Sequence, residues 1–229
     1  MEQTHESHRY TIPLAIVLAG GLIALAIFFG GGSNPSRSLT DTQDANIEVP
    51  AVNNNDHILG NPEAKIKLVQ YSDTECPFCK TFHNTLKQVL ATYPNDVALI
   101  FRHFPIANLH PRALKEAEAL ECASELGGET AFWKYLDEIF TRTNSNNTLD
   151  PAELPKIALA VGIDTASFNS CLASGKYTKK IEDSIAEAVK AGARGTPYSI
   201  LITKDGQKMA VGGAEPFNLL KERIDSLLK

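Results

Sequence analysis

Between Arg9 and Arg37 no charged residue occurs, and within that gap Thr11 to Gly32 reads TIPLAIVLAGGLIALAIFFGGG. A helix needs ~20 apolar residues to cross the hydrocarbon core of a bilayer. The run therefore predicts a transmembrane anchor over 11–32, preceded by an N-terminal tail, 1–10. It is longer than the ~7 to 15 apolar residues of a cleaved signal peptide. From 33 to 57 Ser, Asn, Thr, Asp and Pro dominate without apolar periodicity, the pattern of a flexible linker. A folded domain is expected over 58–229.

Within that domain Ile66, Leu68 and Val69 to Tyr71 form a β-prone run, and Val97 to Phe104 (VALIFRHF) forms a second. Pro77 to Thr92 between them has helical spacing, which makes a β-α-β unit. Pro111 to Leu126 places Ala119, Cys122, Ala123 and Leu126 on one helical face, with Arg112 and Glu116 four apart on the polar side. Further helices are predicted over 132–140, 152–161, 165–173 and 181–189, separated by Asn-, Gly- or Pro-bearing breaks. Strands return at Tyr198 to Ile202 and Gln207 to Val211, flanking the hairpin dipeptide Asp205-Gly206. Phe217, Leu220, Ile224 and Leu227 then form the buried face of a last helix. The fold class is α/β: a mixed central sheet with an inserted helical subdomain over about 106–192.

Composition narrows the chemistry. At 229 residues and 43% hydrophobic, the chain has room for one well-packed domain beside the anchor. A formal net charge of −5 with no long basic run argues against a nucleic-acid partner. Phosphate-binding glycine loops and the serine-hydrolase elbow are absent. Four cysteines remain, at 76, 79, 122 and 171: one close pair and one distant pair. A long-range disulfide persists only in an oxidising compartment, which places the domain on the periplasmic or other extracytoplasmic face.

Cys76-Pro77-Phe78-Cys79 follows a predicted strand and opens a predicted helix, with Pro77 in the first turn, where a missing N–H costs nothing. Free backbone N–H groups and the helix dipole there favour a thiolate at Cys76, and Cys79, one turn in, should be more buried. The pair is expected to exchange disulfides, Cys76 as nucleophile and Cys79 as resolving thiol. Lys80 should favour the thiolate, whereas Asp73 and Glu75 should oppose it if they lie close, so a moderate oxidant is expected. Asp73 is either a proton relay to Cys79 or a solvated loop carboxylate. The rival chemistry is a copper or zinc chaperone using Cys76, Cys79 and His83, which supply three ligands where a closed zinc site takes four. His83, His103 and His110, with Phe132 and Trp133, have packing or surface roles as their ordinary reading.

The Phe82-His83-Asn84 run after the cysteine motif, Gly195-Thr196-Pro197, and the segments Gly127 to Trp133 and Phe168 to Cys171 resemble the DsbA-like thiol-disulfide oxidoreductases. The resemblance covers roughly Ile58 to Lys229. It implies a thioredoxin-like fold with a helical insertion, a cis Thr196-Pro197 peptide facing the active cysteines, and an extended substrate pairing beside Pro197. Similar relatives carry a second cysteine pair, so Cys122 and Cys171 are read as a structural disulfide, with two buried thiols as the alternative. Family analogy implies exported protein substrates, a quinone-linked membrane redox partner and no cofactor. The chain is expected to act as a monomer, because no dimerisation segment is visible. Phe78 stands where the best-known members often have His, which leaves the direction open between an oxidase and an isomerase or reductase.

Overall fold

A computed structural model of the chain describes residues 47–229. The tail, the anchor expected over 11–32 and residues 33–46 of the linker lie outside the described residues. Among those described, no helix is long and apolar enough to cross a membrane.

The strands are β1 (His57–Gly60), β2 (Ile66–Ser72), β3 (Val97–His103), β4 (Tyr198–Thr203) and β5 (Lys208–Gly212). They form one mixed sheet in the order β1-β3-β2-β4-β5. β2 and β3 run parallel, joined by α1 (Pro77–Thr92), and every other neighbouring pair is antiparallel. Side chains alternate across the sheet, and the two faces sort accordingly. Ile66, Leu68, Val97, Leu99 and Phe101 join one core with Phe82, Leu86 and Val89 of α1. Val69, Tyr71, Ala98, Ile100 and Ile200 face the other side, beneath Ile47, Ala188 and Ala191. Burying each large apolar side chain contributes ~1.5–3 kcal/mol, so neither face can be left open.

Between β3 and β4 lie α2 (Ala113–Arg142), α3 (Leu154–Ala160), α4 (Thr165–Ser174) and α5 (Thr178–Lys190), and α6 (Phe217–Leu227) closes the chain. The helices expected over 111–126 and 132–140 are the two arms of α2, which breaks at Gly128 with φ 72° and ψ −172°. That backbone region is open essentially to glycine alone. A Cys122–Cys171 disulfide, spanning a sequence separation of 49, ties α2 to α4.

The linker boundary at 57 needs correction. Ile47 is buried, its carbonyl accepts from Lys208 Nζ at 2.8 Å, and Arg102 binds both Asp56 carboxylate oxygens at 2.8 and 3.0 Å. Residues 47–57 thus belong to the domain. Ile47, Val49 and Val52 are too thinly spread among Pro and Asn to show a periodicity, yet they cover a sheet face that would otherwise meet water.

Candidate active site

The end of β2 delivers Ser72 and Asp73 to a tight turn, and Cys76 caps α1 from an extended conformation (φ −78°, ψ 121°) with Pro77 in the first turn. No acidic residue stands in that first turn to oppose a thiolate. Cys76 is only 5% exposed and Cys79 is fully buried, and both are free thiols. The Thr196-Pro197 peptide is cis, and Cys76 Sγ lies 3.4 Å from the Thr196 carbonyl oxygen.

The Cys76 thiol is lowered from 9.0 to about 6, first by a hydrogen bond from Cys79, then by the backbone N–H groups of Cys79 and Phe78 and by Thr196, against the opposing effect of burial. Thr196 acts in two senses. Its carbonyl accepts from the protonated thiol, whereas its hydroxyl, buried with no other partner, can donate to the thiolate. The amides and the Cys79 thiol tip the balance toward the anion. Burial, and then the Cys76 sulfur, push the Cys79 thiol well above its ordinary value. One cysteine is thus poised as leaving group and the other as proton holder.

Lys80 does not serve the thiolate as expected: its Nζ donates to the Thr143 carbonyl at 2.5 Å. Asp73 is not a solvated loop carboxylate either, being 1% exposed. It accepts from the amides of Glu75 at 2.8 Å and Ile106 at 2.7 Å and lies 2.9 Å from His110 Nδ1. These bonds hold the turn that presents Cys76. Glu75, fully buried, accepts from the Asn147 amide at 2.6 Å, the Leu149 amide at 3.3 Å and the Thr143 hydroxyl at 3.3 Å, and so pins the 143–149 loop beside the cysteines.

Glu116 corrects the sequence reading outright. It was expected on the polar side of its helix with Arg112, but it is 2% exposed and hydrogen-bonded to Glu75. Burial foremost, then Glu75 and the charge of Asp73, push its carboxyl up to about 9, so it stays protonated at neutral pH. The signal was present: Ala113, Ala117, Leu120 and Ala123 share its helical face, and all are buried.

His83 faces Asp137, with Nε2 at 2.6 Å, and links α1 to α2. Cys76, Cys79 and His83 do not converge as a metal site; the one such triad among the described residues is His57, His103 and Glu121.

Comparison with known proteins bears on this geometry. The family model described as "Thioredoxin" matches residues 52–212. The crystal structure of Pseudomonas aeruginosa DsbA2 superposes with a TM-score of 0.63 at 28% identity, covering 79% of this chain and 96% of that one. Wolbachia pipientis alpha-DsbA1 gives 0.68 at 26% identity, covering 78% and 92%. The chain belongs to the thioredoxin family, among the DsbA-like thiol-disulfide oxidoreductases. A curated relative from Mycolicibacterium gilvum, named Na(+)/H(+) antiporter NhaA 1, is 33% identical over 144 residues. That match takes in 62% of this chain but only 22% of the relative's length. In this DsbA-like chain the helical insertion supplies Glu116 and the 143–149 loop, so it shapes the site as well as covering the sheet.

Proposed function

We propose that the chain introduces disulfide bonds into exported proteins by thiol-disulfide exchange at Cys76 and Cys79. A lowered thiol at the α1 N-terminus, beside a buried partner that keeps its proton, carries this reading. In the oxidised form a substrate thiolate attacks Cys76 Sγ, the Cys76–Cys79 bond breaks, and the electron pair leaves on Cys79, which takes up a proton. A second substrate thiolate then attacks the substrate sulfur of the mixed disulfide. The substrate leaves oxidised, and Cys76 departs as a thiolate. The enzyme retains two electrons, which a quinone-linked membrane partner would remove.

A Cys76 thiol at about 6 is roughly ten parts thiolate to one part thiol at pH 7. That favours the reduced pair by ~1.4 kcal/mol, equivalent to ~30 mV for a two-electron couple, and supports a moderate oxidant. Phe78 and Leu109, 66% and 65% exposed, offer apolar contacts to an unfolded substrate. The Pro197 carbonyl already accepts from the Gly213 amide at 2.9 Å. Strand-like pairing of a substrate would therefore use Gly195 and Thr196, with Thr196 and Pro197 as positioning elements. Asp73 would act by holding the turn.

We place the domain outside the cytoplasm, acting as a monomer tethered through 11–32. On fractionation the full chain should then need detergent for extraction, and a chain lacking 1–32 should be soluble; equal solubility of the two would sink the tether.

The exchange reading is tested by mixing the oxidised full-length chain with a reduced, unfolded protein. Transfer of one disulfide per chain is expected, with loss of transfer in both Cys76→Ser and Cys79→Ser; offered the same protein in its disulfide form, Cys79→Ser should accumulate a mixed disulfide, its Cys76 thiolate attacking the substrate disulfide and releasing a substrate thiolate. A chain that forms the Cys76–Cys79 bond yet transfers nothing would overturn it.

A further inference from the structure

Away from the cysteines, His57 at the start of β1, His103 at the end of β3 and Glu121 of α2 meet in the interior at 4%, 3% and 2% exposure. His57 pairs across the strands with Phe101, two residues before His103, so both imidazoles emerge on one side of adjacent strands. His57 Nε2 lies 3.1 Å and His103 Nε2 3.0 Å from the same Glu121 Oε1. One ligating atom from each residue falls within 4.8 Å of the other two.

With protons alone, both Nε2 atoms donate to one Glu121 oxygen, and His57 Nδ1 faces Glu129 Oε1 at 2.8 Å, so a doubly protonated His57 is held between two carboxylates. A divalent cation can take the place of the two Nε2 protons. Both Nε2 atoms become neutral ligands, while His57 Nδ1–H keeps donating to Glu129, the outer-carboxylate arrangement that orients metal-bound imidazoles. Phe132, stacked on the His57 ring at 3.6 Å and 7°, fixes the plane of that ligand. Metal–ligand bonds of ~2.0–2.2 Å set tetrahedral ligand atoms ~3.3 Å apart, close to the 3.1 and 3.0 Å between Glu121 Oε1 and the two imidazole nitrogens.

A cavity of about 420 Å³, lined in part by these three residues and Lys180, gives access from solvent. Lys180 Nζ sits on the open side, 2.7 Å from Glu121 Oε2 and 3.5 Å from His57 Nε2. Its side chain is 40% exposed and can swing out, so it acts as a replaceable cation.

We propose that His57, His103 and Glu121 form a binding site for a zinc-class divalent cation, completed by water, that clamps β1 and β3 to α2. Two imidazoles and one carboxylate select zinc over calcium or magnesium, which take oxygen donors. The site is independent of the exchange chemistry.

The test uses the full-length chain with Cys76→Ser and Cys79→Ser, so that no free thiol competes, stripped of metal with a chelator. Zn²⁺ affinity is read by competition with a chromophoric chelator and ligand type by Co²⁺ absorption. One zinc per chain is expected, with visible cobalt bands and no thiolate charge-transfer band. His103→Gln should abolish binding, Glu129→Gln should weaken it ~10-fold or more, and Lys180→Met should tighten it. If His103→Gln does not fold, the other two variants, at partly exposed positions, decide the matter. Failure to bind one zinc, or equal affinity of the parent, Glu129→Gln and Lys180→Met chains, overturns the proposal.

Discussion

Burial alone would raise the Cys76 thiol, but hydrogen bonds from Cys79, Phe78 and Thr196 outweigh it, and the outcome is readable through pH. Alkylation of the reduced chain at Cys76 should follow a thiolate with a midpoint near 6, whereas a midpoint near the ordinary 9.0 would contradict the site. Because Cys79 keeps its proton, reduction takes up two protons below pH 6 and one above it. The potential should therefore fall by about 59 mV per pH unit at acid pH and about 30 mV above the break. Glu116 carries a second signature. Its carboxyl holds a proton up to about 9 in the folded chain against 4.5 for the free group, so the folded state binds more protons between those values. The stability this contributes is full below 4.5 and is lost as pH rises toward 9. Glu116→Gln keeps a neutral donor facing Glu75. It should match the parent near pH 4.5 and exceed it at pH 8 by ~1–3 kcal/mol in denaturant titrations; parallel pH curves would contradict this.

At the scale of elements, the insertion is fastened to itself by the Cys122–Cys171 bridge between α2 and α4. A loop with sequence separation 49 carries a chain-entropy contribution of about 4 kcal/mol. Replacing both cysteines by alanine should lower stability by ~2–4 kcal/mol and leave the Cys76–Cys79 potential unchanged, measured by urea unfolding and by redox equilibrium. Periodicity made most elements legible: α1 and α6 stand within a residue of their expected bounds because each presents a clean apolar face, and β3 because it is a short, continuously buried β-prone run. β1 went unseen, since four residues, His-Ile-Leu-Gly, are too few to display alternation and its pairing is set by β3. The cysteine motif was legible as a local strand-turn-helix signal. Glu75 was not, because its partners are amides of a loop some seventy residues away in sequence, brought there only by the folded insertion.

For the whole molecule, one sheet with a core on each face sets the cysteine turn at the end of β2, opposite the loop leading into β4. The insertion packs on both faces, α2, α3 and α4 on one and α5 on the other, and residues 47–57 complete the second, so the domain begins earlier than composition suggested. As proposed above, this assembly holds Cys76 and Cys79 as a disulfide-donating couple. The most direct test is the equilibrium of that pair against glutathione in the full-length chain. A potential between about −120 and −180 mV, the span of oxidising catalysts, is expected. A value near −270 mV, as in a reductase, or failure of the pair to form a disulfide, would contradict it.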